Sequence, residues 1–340
     1  MNFIKHFLTI AKPYALALWA LAIAHSETLR TFVARHPKHV TAALAVVLLG
    51  GGGGAFAVAN LGPDASNLPV RILVETLETP NLDQQVAALE QKTLKLYRND
   101  ITRGTDDPAF RATLSAPLRA IVVCVAPSSA RGDSYAVYPA AARGTARLAD
   151  AFDAQAVVYL SSTGIYDRHD GSAVTEKTLI APTNDRVQAL FDAELTVLAT
   201  ASAARSATVL RAAGLYGPGR DPAARFASGA TAADTWCNFS WRDDVIAAIA
   251  HVMARPATGH GVIYNCTDDC PVQAGDITLA LTGARPTAGL PADPNGPVRA
   301  GRSSQRISSA ALKATGWYPA APTVFDGLAQ LGHALPGRPS

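Results

Sequence analysis

Charge is scarce in this 340-residue sequence: Asp, Glu, Lys and Arg make up 17% of it, where soluble proteins carry roughly a quarter. With 49% hydrophobic residues beside so little charge, a largely disordered chain is excluded, because disorder needs low hydrophobicity and high net charge. Cysteine is scarce too, being found at Cys124, Cys237, Cys266 and Cys270 alone. A chain of this length fills a core without disulfide or metal staples. Cys266 and Cys270 bracket Thr267-Asp268-Asp269; no second pair completes a zinc set, and in an oxidising compartment the two would oxidise. A basic surplus is missing from the body of the chain. The formal charge is +3, residues 1–40 hold a net +4 (Lys5, Lys12, Arg30, Arg35 and Lys38 against Glu27), and the remaining 300 residues sum to −1. That balance argues against nucleic acid as a partner.

What is present near the N-terminus is a long apolar run. Residues 40–61, VTAALAVVLLGGGGGAFAVANL, contain no charge and end at Gly62-Pro63. Twenty-two residues at 1.5 Å each suffice to cross a hydrocarbon core of roughly 30 Å. The mean hydropathy of +0.12 suits one such span on an otherwise soluble body. Arg30, Arg35 and Lys38 precede the run and Asp64 follows it, so the positive-inside rule leaves the N-terminus cytoplasmic. The expectation is a single-pass inner-membrane protein with a periplasmic body, or a cytoplasmic one if the span does not insert. The run starts too late for an ordinary signal peptide, and residues 14–24 read as a short interfacial or cytoplasmic helix. Gly50 to Gly54 admit a second reading: an apolar strand, a glycine-rich turn and a helix whose N-terminus cradles a phosphate. Residues 55–61 are short for that helix, and length favours the span.

Residues 68–77, LPVRILVETL, read as a strand or extended linker. Asn81 can cap a helix reaching about Arg98, with Leu82, Val86, Leu89 and Leu96 on its apolar face. Beyond Asp107 the texture changes. Strands are expected at 118–125, 157–160, 207–211 and 261–265, and helices at 138–152, 187–199 and 243–253. Such alternation predicts an α/β domain with a parallel sheet covered on both faces. The organisation is then a basic cytoplasmic segment (1–39), a transmembrane helix (40–62), a juxtamembrane linker and helix (63–107), an α/β domain (108–333) and a tail (334–340).

The block VVYLSSTGIYD at 157–167 places Ser161, Ser162 and Thr163 at the end of a strand, the carboxyl edge where doubly wound sheets bind ligands; hydroxyls there also cap turns. LRAAGLYGPGR at 210–220 sets Gly214, Gly217 and Gly219 around Tyr216 and Pro218, a backbone able to approach a flat ligand closely. NFSWRDDVIAAI at 238–249 opens a helix, with Asp243 and Asp244 favoured there by the helix dipole. VIYNCTDDCPV at 262–272 and QRISSAALKATGW at 305–317 complete the series.

In this order the blocks resemble the extended short-chain dehydrogenase/reductase superfamily, the NAD-dependent epimerase/dehydratase group. The resemblance implies a Rossmann-like parallel sheet, NAD or NADP as cofactor and a small-molecule substrate. It puts Ser162 at the catalytic serine position, and Ala126, Pro127, Ser161, Gly214, Leu215 and Tyr216 on the nicotinamide side of the cofactor. Two departures stand out. The Tyr and Lys of the group's YxxxK pair fall on Arg186 and Leu190, counted back from Ala193-Glu194, and Tyr166 is the hydroxyl left to act as catalytic acid/base. The opening βαβ unit with its glycine fingerprint is also missing. Residues 1–105 instead resemble the membrane-anchor region of M23-family peptidoglycan metallopeptidases, without the zinc ligands, so peptidase activity does not carry over. The expected function is an atypical NAD(P)-binding protein, an epimerase/dehydratase or oxidoreductase if active. The alternative is a non-catalytic, membrane-anchored fusion or envelope protein.

Overall fold

The computed structural model describes residues 117–127, 134–228, 231–285 and 303–338, and ahead of them the backbone of four strands. Those strands are β1 (Ala43–Gly50), β2 (Gly54–Leu61), β3 (Val70–Leu73) and β4 (Leu94–Tyr97). They correct the reading of the apolar run. Instead of one transmembrane helix over residues 40–62, the run forms two strands, with β1 pairing antiparallel with β2 from Ala43–Leu61 to Gly50–Gly54. Three residues separate the strands. The phosphate-loop reading expects a helix after the glycines, and the strand β2 stands there instead. The end of the helix expected up to Arg98 is likewise strand β4; residues 74–93 and 14–24 lie outside the described residues. Among the described residues no helix is long and apolar enough to cross a membrane.

The sheet runs β12-β8-β6-β5-β1-β2-β3-β4. Here β5 is Ala120–Val125, β6 Ala156–Ser162, β8 Ser206–Ala212 and β12 Val262–Cys266. β5 lies parallel to both β6 and β1. The place beside β5 that an opening βαβ unit would fill is therefore taken by β1, and the sheet goes on through an antiparallel β1–β2–β3 stretch to β4, which is parallel to β3.

The chain divides into two compact units. One comprises Met1–Ser161, Pro182–Leu210 and Ile246–Ile263; the other comprises Ser162–Ala181, Arg211–Val245 and Tyr264–Ser340. In the first, every residue of β5 is buried, as expected of a parallel strand covered on both faces. Helix α1 (Val137–Ala151) buries Tyr138, Ala141, Ala142, Thr145, Leu148 and Ala149, the stripe its 3.6-residue period dictates. Helix α2 (Asp185–Leu198) starts at Asn184, whose side chain accepts from the Val187 N–H at 3.0 Å, and it buries Val187, Leu190, Ala193, Glu194 and Val197 among others.

The second unit is assembled from short pieces. Its strands are β7 (Ala173–Val174), β9 (Gly214–Tyr216), β10 (Trp236–Cys237), β11 (Phe239–Trp241), β13 (Val272–Gln273) and β14 (Arg306–Ile307). They pair two by two: β9 with β11, β10 with β13 and β7 with β14. Its helices are α3 (Ala223–Ala227), α5 (Ala274–Thr282), α6 (Ala310–Lys313) and α7 (Val324–Gln330), while α4 (Arg242–Met253) runs on into the first unit. Tyr216 forms the centre of the second unit's aromatic core, edge-on to Phe239 at 5.5 Å and to Trp241 at 5.1 Å. Helix α7 begins with a capping box between Thr323 and Asp326.

Candidate functional site

In the first unit, the end of β5 leads into Ala126 and Pro127, both half-buried. At the end of β6, the Ser161 hydroxyl donates to Glu194 Oε1 at 2.5 Å. Both groups are buried, so the bond ties the sheet to the inner face of α2. Just before it in β6, Tyr159 is fully buried, and no partner takes its hydroxyl among the described residues. Burial first, then Tyr138, Glu194 and Cys124, push the Tyr159 phenol well above its ordinary pKa. Burial also raises the Tyr138 phenol, against the lowering influence of Arg186. Arg186 is half-buried and Leu190 fully buried. Neither can exchange a proton near neutral pH, since a guanidinium stays protonated and leucine has nothing to ionise.

In the second unit, Ser162 caps the short 3-10 turn Thr163–Ile165. Its Oγ accepts from the Gly164 N–H at 3.1 Å, which orients the hydroxyl and leaves its own proton available to donate. Tyr166 closes the turn and is 3% exposed. Its hydroxyl donates to Asn265 Oδ1 at 2.7 Å and accepts from Arg211 Nη1 at 2.8 Å. Burial raises the Tyr166 phenol, partly offset by the Arg211 guanidinium, which also lies 4.8 Å from the ring centre. Asn265 is held in turn: its amide donates to the Ser308 carbonyl at 3.0 Å and its backbone N–H to Glu176 Oε1 at 2.7 Å.

Gly214 is exposed, Leu215 half-buried and Tyr216 buried. The Tyr216 side chain belongs to the aromatic core, where a methyl group at Gly327 would run into its hydroxyl; its ring is committed to packing. Asp244 accepts the backbone N–H groups of Ala320 and Ala321 at 2.7 and 3.0 Å. Burial nonetheless pushes its carboxyl up to about 6. Asp268 is also buried and is raised well above the carboxylate range, first by burial and further by Asp269 and Asp244, against a backbone contact from Cys270. Cys266 and Cys270 are both free thiols. Among the described residues no His, Cys, Asp and Glu cluster could hold a metal.

Thus the structure groups Ser161 with Glu194 in one unit, and in the other sets Ser162 and Tyr166 at the two ends of one turn. Arg211, Asn265, Gln305 and Glu194 escaped the sequence reading as partners. The signal that could have marked the first two is a charged or amide residue at the end of an apolar strand, ATVLR and VIYN, where burial demands a partner.

The sequence model described as the NAD dependent epimerase/dehydratase family matches residues 62–267, more than half the chain, and so takes in residues 62–105 of the stretch expected from sequence to be a peptidase-type anchor. No curated protein matches. Among solved structures, a protein of Methylobacillus flagellatus described as a putative NAD-dependent epimerase/dehydratase is 25% identical, with a TM-score of 0.51 over 70% of this chain and 83% of that one. The dTDP-glucose 4,6-dehydratase of Streptomyces venezuelae, solved with NAD bound, is 20% identical, with a TM-score of 0.59 over 79% of this chain and 87% of that one. The UDP-glucose 4-epimerase of Thermotoga maritima, solved with UDP-glucose, is 16% identical, with a TM-score of 0.59 over 77% and 89%.

Proposed function

Because the chain belongs to the NAD-dependent epimerase/dehydratase family, we propose that it binds NAD(P) and engages an oxygen-bearing small molecule of the sugar-nucleotide class through Ser162. The observation that carries this reading is the Ser162 hydroxyl itself, half-buried at the carboxyl end of β6, oriented by the Gly164 N–H and free to donate. A fixed donor aimed at a substrate oxygen stabilises negative charge as it develops there, without reorganisation. The substrate class follows the solved family members that carry UDP-glucose, UDP-glucuronic acid or dTDP-glucose in their names.

The residues present fit the cofactor only in part. Ala126, Pro127 and Ser161 close the carboxyl ends of β5 and β6, small side chains that leave a flat ring room to approach. When bound, the cofactor supplies a hydride acceptor. For its pyrophosphate, the element described after β1 is the strand β2, beginning at Gly54, where the usual cradle needs a helix N-terminus. With Arg186 and Leu190 at the positions of the proton-transferring pair, the chain is an atypical member, and a second reading, a cofactor-binding module without catalysis, rests on those two residues.

Incubating the full chain with NAD+ and UDP-glucose or dTDP-glucose, and following conversion of the sugar nucleotide by chromatography, separates the readings, because epimerisation and dehydration return the hydride to the sugar and leave no net reduced nicotinamide. The expected result is a slow signal that falls about 100-fold in Ser162→Ala with cofactor affinity unchanged. A Ser162→Ala chain that keeps its full rate would remove Ser162 from the chemistry. Saturable cofactor binding with no signal on any sugar nucleotide would favour the non-catalytic module.

A further inference from the structure

The turn that carries Ser162 is held from both ends by buried polar side chains of its own unit. At its start, Gln305 Nε2 donates to the Thr163 carbonyl at 3.0 Å, and Gln305 Oε1 accepts from the Arg168 N–H at 3.2 Å. Gln305 is 2% exposed and is itself pinned, because Asn238 Nδ2 donates to its carbonyl at 2.7 Å while Asn238 Oδ1 accepts from the Ile307 N–H at 2.8 Å. At the other end stands Tyr166, clamped between Arg211 and Asn265.

Burying so many polar groups is costly unless each finds its partner, since an unmet one costs about 1–3 kcal/mol. A phenylalanine at 166 and an apolar residue at 305 would fill the same volume without that liability. What the polar set adds is geometry: each bond fixes a direction as well as a distance. Ser162, with extended backbone as the cap of this turn, is the residue whose direction is thereby fixed.

We propose that Tyr166 and Gln305 are positioning residues, a two-ended clamp on the turn Thr163–Ile165 that aims the Ser162 hydroxyl, and that Tyr166 does not exchange a proton with substrate. The proposal rests on the reading of Ser162 given above. The Tyr166 hydroxyl is buried and donates to one group of its own unit while accepting from another, so both of its bonding directions are used within the protein. Burial keeps it protonated at neutral pH, so both bonds persist under working conditions.

Native-state hydrogen exchange on the full chain tests the clamp without requiring turnover. Tyr166→Phe removes the hydroxyl at constant shape, and Gln305→Glu removes the donor to Thr163 while keeping the acceptor for Arg168. In each variant the Gly164 and Tyr166 amides are expected to exchange about tenfold faster or more, while the Val122 amide in β5 keeps its rate. Unchanged exchange at both amides in both variants overturns the clamp, and Gln305→Glu decides alone if Tyr166→Phe does not fold. With a turnover signal in hand, Tyr166→Phe should lower kcat about tenfold and leave the pH profile unchanged in shape; loss of one limb of the profile would make Tyr166 the proton-transfer group and overturn the proposal. Failure of the functional reading looks different: the unsubstituted chain binds no NAD+, and the exchange pattern stands as before.

Discussion

Tyr159 and Tyr166 lie seven residues apart and are buried to almost the same degree, 0% and 3% exposed, yet they live in opposite surroundings. Tyr159 sits in β6 of the first unit, within reach of Tyr138, Glu194 and Cys124, yet its hydroxyl has no hydrogen-bond partner among the described residues. Tyr166 sits in the second unit, gripped by an arginine and an asparagine. The first unit is organised by apolar burial, which is non-directional and tolerant of exchange between similar shapes. The second, with its two- and three-residue strands and four- to nine-residue helices, has little regular structure, and around its aromatic core buried hydrogen bonds do much of the specifying.

The largest test of that contrast is Asn265→Leu. It leaves the Tyr166 hydroxyl without its acceptor and the Ser308 carbonyl without its donor, and should cost about 4 kcal/mol in denaturant unfolding, since each orphaned group costs about 1–3. A loss below about 1 kcal/mol would mean that the network is ornamental.

Acid titration is the next. Asp244, with a folded value near 6 against an ordinary 3.8, and Asp268, raised further by burial, both have pKa values above those of the unfolded chain. Their contribution is therefore fully present below about pH 4 and is lost as pH rises through about 6 and beyond, on the order of 2 kcal/mol for Asp244. Melting temperature should fall over that window, and Asp268→Asn should raise it at neutral pH by removing the charge that burial opposes. A chain whose stability rises steadily from pH 4 to neutrality would contradict this assignment.

The smallest effect is also the most pointed. Tyr166→Phe should cost about 2 kcal/mol, because it removes one bond from a buried guanidinium and one from a buried amide oxygen, while Tyr159→Phe should cost nothing or stabilise by up to about 1 kcal/mol, because it deletes a hydroxyl with no partner among the described residues. Equal costs for the two would erase the distinction between the units.

The same contrast governs what the sequence discloses. Strands β5, β6, β8 and β12 and helices α1, α2 and α4 are legible as apolar runs and stripes, with ends displaced by two residues at most. The hairpin β1–β2 is misread because a pair of apolar strands and a membrane helix are both uncharged apolar runs, which periodicity does not separate; the glycines at 50–54 are the feature that decides. At the site, Ser161 and Ser162 are legible as hydroxyls closing an apolar strand. Their supports are not. Glu194 lies 33 residues from Ser161, Asn265 99 from Tyr166, and Gln305 142 from Thr163. No local pattern reports a pairing across such separations; it exists only once the chain has folded.

The most direct test of the account is a calorimetric titration of the full chain with NAD+ and, separately, NADP+. The account predicts saturable binding of at least one of them at a single site per chain, measurable at millimolar cofactor. No heat of binding for either at that concentration would contradict it, leaving a family fold that has given up its cofactor.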